Sequence, residues 1–274
     1  MLSNNPLKQY FRRPAIYLKL PSGGKGYSEG VIDMPESGEL PVYPMTAIDE
    51  ITSRTPDALF NGNAIVDLIK SCMPDIKDPW SVTNIDLDAI LIAIKTASQG
   101  NDFTIESTCP ECKESASYGI NLIGLLSTMK QGDYEKMLEV GELKIKFRPL
   151  VYKEMNENGV GQFEIQKVFA GLENLPDDER IAKTQLAVVE ITEVTMKILA
   201  KTIDYIQIPD QRITEKEYIL DFLHNCDKNL YTQIRDYHQK IKEATDLKPL
   251  DVKCIHCQHE YLQPFILNAS DFFG

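Results

Sequence analysis

Two Cys-x-x-Cys pairs, Cys109/Cys112 and Cys254/Cys257, stand far apart in the chain. Together they offer four thiolates, the number that closes a zinc tetrahedron and leaves no position for water. A site of that kind fastens structure and does not catalyse. The flanks of both pairs follow one pattern. Phe103 and Ile105 alternate with polar residues before the first pair, and Tyr118, Ile120 and Leu122 alternate after it. Leu250 and Val252 precede the second, and Tyr261, Leu262 and the stretch from Phe265 to Leu267 follow. Strand, knuckle, strand is the arrangement of a zinc ribbon, here split by a long insertion. If one structural zinc per chain is shared by the pairs, residues 113 to 253 form a loop tied at its base.

Other uses of the cysteines predict different surroundings. A thioredoxin-type dithiol sits at a helix start after a buried strand. Here Pro110, Glu111, Lys113 and Gln258 give turn-like knuckles. Secreted disulfide frameworks are short and cysteine-dense, whereas this chain has six cysteines in 274 residues and no signal peptide. Two independent roles, or none involving metal, remain the alternatives to a shared ion. His256 lies inside the second knuckle and His259 just after it, but four thiolates already fill the shell, so both are expected beside it or in solvent. Cys72 and Cys226 lack metal-like spacing and read as small buried hydrophobes.

Charge narrows the partners. The formal net charge is −12, and four thiolates around Zn²⁺ would add two negative charges. This argues against a nucleic-acid binder, whose affinity comes mainly from neutralising phosphates. Residues 1 to 26 carry Lys8, Arg12, Arg13, Lys19 and Lys25 and no acid, so the remainder is five charges more negative than the whole. A basic arm on an acidic body fits docking to an acidic protein surface. It fits equally an arm folded on its own body. No apolar run approaches a membrane span, and the free thiols suit assembly in the cytoplasm.

The pattern predicts an α+β chain with a mainly helical body, a split four-cysteine zinc ribbon and a largely extended N-terminal arm. Residues 1–45 form the arm, with a short strand over Ala15 to Leu20 and a turn at Pro21 to Gly26. Residues 46–100 form a helical subdomain: Thr46 caps a helix through Arg54, Thr55-Pro56-Asp57 opens a second, and Asn84 to Ser98 is a third, stopped at Gly100. Residues 101–122 and 248–270 form the ribbon halves. Residues 123–247 are a helical insertion with one strand or hairpin. Its clear strand is Glu142 to Leu150, where Leu143, Ile145 and Phe147 share a face. Pro176-Asp177-Asp178 opens a helix to Ile203, and the capping-box pattern Thr214-x-x-Glu217 opens a last helix to Ala244.

Signs of catalysis are absent. The chain has no nucleophile elbow, Walker loop, dinucleotide fingerprint or His-Glu-x-x-His. The Gly23-Gly24 stretch lacks the Gly-Lys-Ser/Thr ending of a phosphate loop. These observations favour a protein that is not an enzyme, although distant acids and histidines could still converge in space.

One further string is specific. Asn5-Pro6-Leu7, Phe11-Arg12-Arg13-Pro14-Ala15-Ile16-Tyr17-Leu18-Lys19-Leu20-Pro21-Ser22-Gly23-Gly24, Glu39-Leu40-Pro41-Val42-Tyr43-Pro44-Met45-Thr46-Ala47-x-Asp49-Glu50 and Arg54-Thr55-Pro56-Asp57-Ala58-Leu59 follow one another. With Thr108-Cys109-Pro110-x-Cys112 and the ending Asp271-Phe272-Phe273-Gly274, they resemble the baseplate hub and hub-assembly proteins of T-even-like contractile-tailed bacteriophages, the myoviruses. The resemblance is strongest over residues 5 to 125. It implies a non-enzymatic structural role among other baseplate and hub proteins, in the tail of the virion or as a hub-assembly chaperone that leaves it. A homo-oligomer is compatible with either. A nucleic-acid-binding zinc-ribbon regulator is the reading from another class.

Overall fold

The structure is a computed structural model that describes residues 5–53, 62–172, 176–265, 267 and 272. The fold is α+β. It divides into two compact units, Met1–Lys130 with Asp246–Gly274, and Gln131–Thr245. The segments read as arm, helical subdomain and ribbon halves all fall in the first. Among the described residues, no helix is long and apolar enough to cross a membrane.

The first unit opens with a 3-10 turn over Pro6–Tyr10. Asn5 caps it, its Oδ1 accepting from the Leu7 N–H at 2.9 Å, and Pro6 supplies a pre-set φ where no donor is needed. Strand β1 (Ile16–Leu18) pairs antiparallel with β2 (Leu40–Val42), Ile16 opposite Val42. The arm is therefore folded onto its own unit, and Leu18, Leu20, Val31, Leu40 and Val42 give it a share of the core. Leu18, Leu20, Leu40 and Val42 are buried while Tyr17 and Lys19 face out, the two-residue period of a half-buried strand. The predicted turn at Pro21 to Gly26 is present. It is pinned by Asp86, which is fully buried and accepts from the Ser22 N–H at 2.9 Å and the Tyr27 hydroxyl at 2.6 Å.

Helix α1 (Ala47–Ser53) starts on a reciprocal cap. The Asp49 N–H donates to Thr46 Oγ1 at 3.2 Å, and Asp49 Oδ2 accepts from the Thr46 N–H at 2.7 Å, which satisfies donors that a helix start leaves free. The predicted opening at Thr55-Pro56-Asp57 lies outside the described residues, and the described helix α2 spans Asn63–Cys72. Helix α3 (Asn84–Gln99) ends at Gly100, whose φ of 92° suits glycine alone. Leu87, Ile90, Leu91 and Ile94 recur at helical spacing along α3 and are buried. In fact Ile85, Asp86, Ala89, Ile92, Ala93, Lys95 and Thr96 are buried as well, so α3 is the central helix, covered on all sides. Two hairpins complete the unit: β3 (Asp102–Thr108) with β4 (Ser115–Asn121), and β9 (Leu250–Lys253) with β10 (Glu260–Gln263). Helix α4 (Leu122–Thr128) follows the first hairpin. Near the C-terminus Phe272 is buried. The Lys95 ammonium donates to its carbonyl and lies 5.3 Å from the ring centroids of both Phe103 and Phe272.

The second unit is a four-stranded antiparallel sheet, in the order β5 (Met137–Val140), β6 (Leu143–Phe147), β7 (Ile203–Ile208), β8 (Gln211–Ile213). Helices α5 (Tyr152–Leu172) and α6 (Asp177–Thr202) connect β6 to β7, and α7 (Lys216–Asn225) and α8 (Lys228–Thr245) follow β8. The core joins Ile145 and Phe147 to Leu199, Ile203, Ile206, Ile219, Leu223, Ile234 and Ile241. Three expectations change here. The expected single strand or hairpin is a sheet of four. The last helix breaks in two at Cys226-Asp227, where Asp227 Oδ1 accepts from the N–H groups of Asn229 and Leu230 at 2.9 and 3.1 Å. The Thr214-x-x-Glu217 box is not made, because Glu215 stands at the cap position of α7.

Candidate metal centre and docking arm

Each cysteine pair occupies the bend of a hairpin, and the two bends repeat each other bond for bond. The Cys109 N–H donates to the Glu114 carbonyl at 2.9 Å and the Lys113 N–H to the Cys109 carbonyl at 3.0 Å. In the second bend the Cys254 N–H donates to His259 at 2.8 Å and the Gln258 N–H to Cys254 at 3.0 Å. In each, the residue after the second cysteine is left-handed: Lys113 and Gln258 both have φ 63°. This turn swings both thiols of a pair to one side.

The bends bring all four sulfurs together. Cys109 Sγ lies 3.6 Å from Cys257 Sγ, and Cys112 Sγ lies 3.6 Å from Cys254 Sγ. All four fall within 4.8 Å of one another, and among the described residues they are the one group of three or more ligating side chains close enough to share an ion. A tetrahedral zinc with Zn–S bonds of about 2.3 Å needs sulfurs about 3.8 Å apart. The spacing is far beyond the roughly 2.0 Å of a disulfide, and all six cysteines are free. The donor set therefore fits a soft tetrahedral cation such as zinc. Backbone N–H groups of Cys257 and His256 aimed at Cys254 lower its thiol, whereas burial and the neighbouring sulfurs raise Cys112 and Cys257, so the four share protons as one group and Cys254 is the thiol that gives its proton up first. His256 and His259 are exposed.

Polar side chains stitch the hairpins together beside the sulfurs. The Ser107 hydroxyl donates to Gln263 Oε1 at 2.5 Å and lies 2.8 Å from the Tyr261 hydroxyl. With its single proton directed to Gln263, it must accept from Tyr261. Ser107, Tyr261 and Gln263 were not legible as a group, since a serine and a glutamine in separate strands give no spacing signal. Of the remaining cysteines, Cys72 is buried and Cys226 half-buried.

The expected docking residues divide. Arg12 is engaged within its own unit. Its guanidinium donates to the Pro44 carbonyl at 2.6 Å, to Asp49 Oδ2 at 3.2 Å, and to the Ser71 carbonyl and hydroxyl at 2.8 and 2.7 Å. Burial alone would raise Asp49, but hydrogen bonds from Thr46 and Ser71 and the Arg12 charge outweigh it and hold the carboxyl low. Lys8, Arg13, Lys19 and Lys25 are exposed.

A family model described as T4 bacteriophage base plate protein matches residues 15–274. The match covers nearly the whole chain and begins just after the Asn5 to Pro14 part of the resemblance. No curated protein and no solved structure matches.

Proposed function

This chain belongs to the T4 bacteriophage base plate protein family, and from that membership we propose that it is a non-enzymatic hub subunit of a contractile-tail baseplate. In this reading it is made in the host cytoplasm and carried in the virion. Cys109, Cys112, Cys254 and Cys257 hold one structural zinc, which makes the paired hairpins a split zinc ribbon. The observation that supports the clasp is the convergence of four sulfurs within 4.8 Å from positions far apart in the chain. The exposed cations Lys8, Arg13, Lys19 and Lys25 of the arm meet acidic surfaces of neighbouring subunits, and Arg12 anchors the arm they stand on. The acidic balance of the rest of the chain favours protein partners over nucleic acid.

Peptide mass spectrometry of purified infectious particles, scored for copies per tail, tests the role. A few copies per particle is the expected result. Absence from finished particles with presence in tail precursors would make the chain an assembly chaperone. Absence from both, with salt-sensitive DNA or RNA binding, would overturn the baseplate role.

A further inference from the structure

The turn that opens the chain holds large apolar side chains that its own unit leaves uncovered. Leu7 is 60% exposed, Tyr10 77% and Phe11 57%, and the 3-10 turn has no buried residue. Yet the turn is well held. Asn5 caps it, Pro6 stiffens its start, and Arg12 at its foot makes hydrogen bonds to Pro44, Asp49 and Ser71. A rigid display of this kind has already met the cost of ordering that a docking segment otherwise meets on binding. Tyrosine, phenylalanine and arginine on such a support are the side chains that dominate interface energetics. Lys8 and Arg13 are exposed beside them, so the fitting occupant combines apolar surface with acid.

The chain itself carries such a surface. A cleft of ≈ 430 Å³ runs along β9 and β10. The register pairs Asp251 with Leu262 and Lys253 with Glu260, so these four share one face of the hairpin, and all are exposed. Leu262, at 63% exposure, is an apolar contact flanked by two carboxylates. Lys253, 3.6 Å from Glu260, offsets only one of them.

We propose that the Leu7–Tyr10–Phe11 turn of one copy docks on the β9–β10 face of a second copy. Tyr10 and Phe11 cover Leu262, and Lys8 and Arg13 meet Asp251 and Glu260. The inference rests on the reading of the arm as a docking element and names its partner as another copy of this chain. The two surfaces differ, so the contact either closes reciprocally about a twofold axis, each turn on the other copy's hairpin, or repeats head to tail into rings or open chains.

Sedimentation velocity of the full zinc-loaded chain tests it, from about 1 µM to about 200 µM and at low and high salt. Expected is a mass that climbs with concentration to the dimer or beyond it and falls as salt rises. Tyr10→Ser combined with Phe11→Ser shifts the association midpoint upward at least about tenfold. Arg13→Glu does the same, and Arg13→Glu with Glu260→Arg restores association. Zinc content and melting temperature of each variant are measured alongside, so that a misfolded variant is recognised. A mass that stays monomeric at every concentration overturns the proposal, as does association indifferent to the Tyr10 and Phe11 substitutions. The particle census is read separately: a chain found in tails but monomeric in solution sinks this inference alone. One that self-associates but is absent from tails and their precursors sinks the baseplate role alone.

Discussion

Asp88 lies on the central helix, where burial and then the nearby Asp246 carboxylate push it up to about 7 from an ordinary 3.8. Between those values the folded chain keeps a proton that the unfolded chain has lost. Stability contributed by this group is therefore complete below the unfolded value and is lost as pH rises through about 7. Thermal melts of the first unit should fall between about pH 5 and about pH 8, and Asp88→Asn should flatten that slope. An unchanged slope in the variant would assign it to other groups. Lys113 and Gln258 pose a different question at the same scale. Both hold φ 63° without being glycine, a conformation that costs an ordinary residue about 1 kcal/mol. Glycine at either place relieves that strain and loses a similar amount through a freer unfolded chain, so Lys113→Gly should be near neutral. Lys113→Val, branched at Cβ, should lose about 1–2 kcal/mol in denaturant unfolding. A valine variant as stable as the parent would mean that the bend tolerates another backbone path. The cysteine spacing was legible because metal chemistry fixes it. The left-handed residues were not, because neither position carries the glycine that usually announces one.

At the scale of elements, legibility followed the strength of local signals. The Thr46/Asp49 cap, the strand through Leu143, Ile145 and Phe147, and the Gly100 stop could be read because each is a local rule satisfied locally. The β7–β8 hairpin could not. Ile203, Ile206 and Ile208 continue the apolar density of the preceding helix, and it is pairing with β6 that makes them strand, Ile145 opposite Ile206. That is tertiary context overriding propensity. Asp227 was legible in principle, since an aspartate before a helical run is a cap signal, but the helical periodicity on either side masked it. Asp227→Ala should cost about 1 kcal/mol, read by chemical denaturation; no loss would mean that α7 and α8 are held apart by packing alone. Phe147 is almost fully buried and its ring sits 5.5 Å from Tyr237 and 5.8 Å from His238. Phe147→Ala should cost about 3–5 kcal/mol, enough to remove most of the stability of a domain this small.

For the whole molecule, the two units predict two responses to metal removal. Closing the loop between Cys112 and Cys254, 142 positions apart, costs about 5 kcal/mol of chain entropy. A structural zinc contributes about 10–16 kcal/mol at neutral pH, so the metal prevails even before the hairpins pack. A strong chelator, or Cys254→Ser, should take zinc content from one per chain to none and lower the melting transition of the first unit. The second unit contains none of the four ligands and should keep its own transition. Zinc content and melting both unchanged in Cys254→Ser would rule out the shared site. The convergence of the hairpins was legible at this scale because four thiolates imply it. The division into units was less so, because its boundaries at residues 130/131 and 245/246 depend on packing that no local pattern records.

The order of the ligands along the chain has one more consequence. A ribosome delivers Cys109 and Cys112 long before Cys254 and Cys257, with the entire second unit emerging in between. A polypeptide stopped anywhere in that interval owns two of the four sulfurs that the proposed zinc site needs. In the proposed clasp, a full complement of four sulfurs thus reports that translation ran through the second bend.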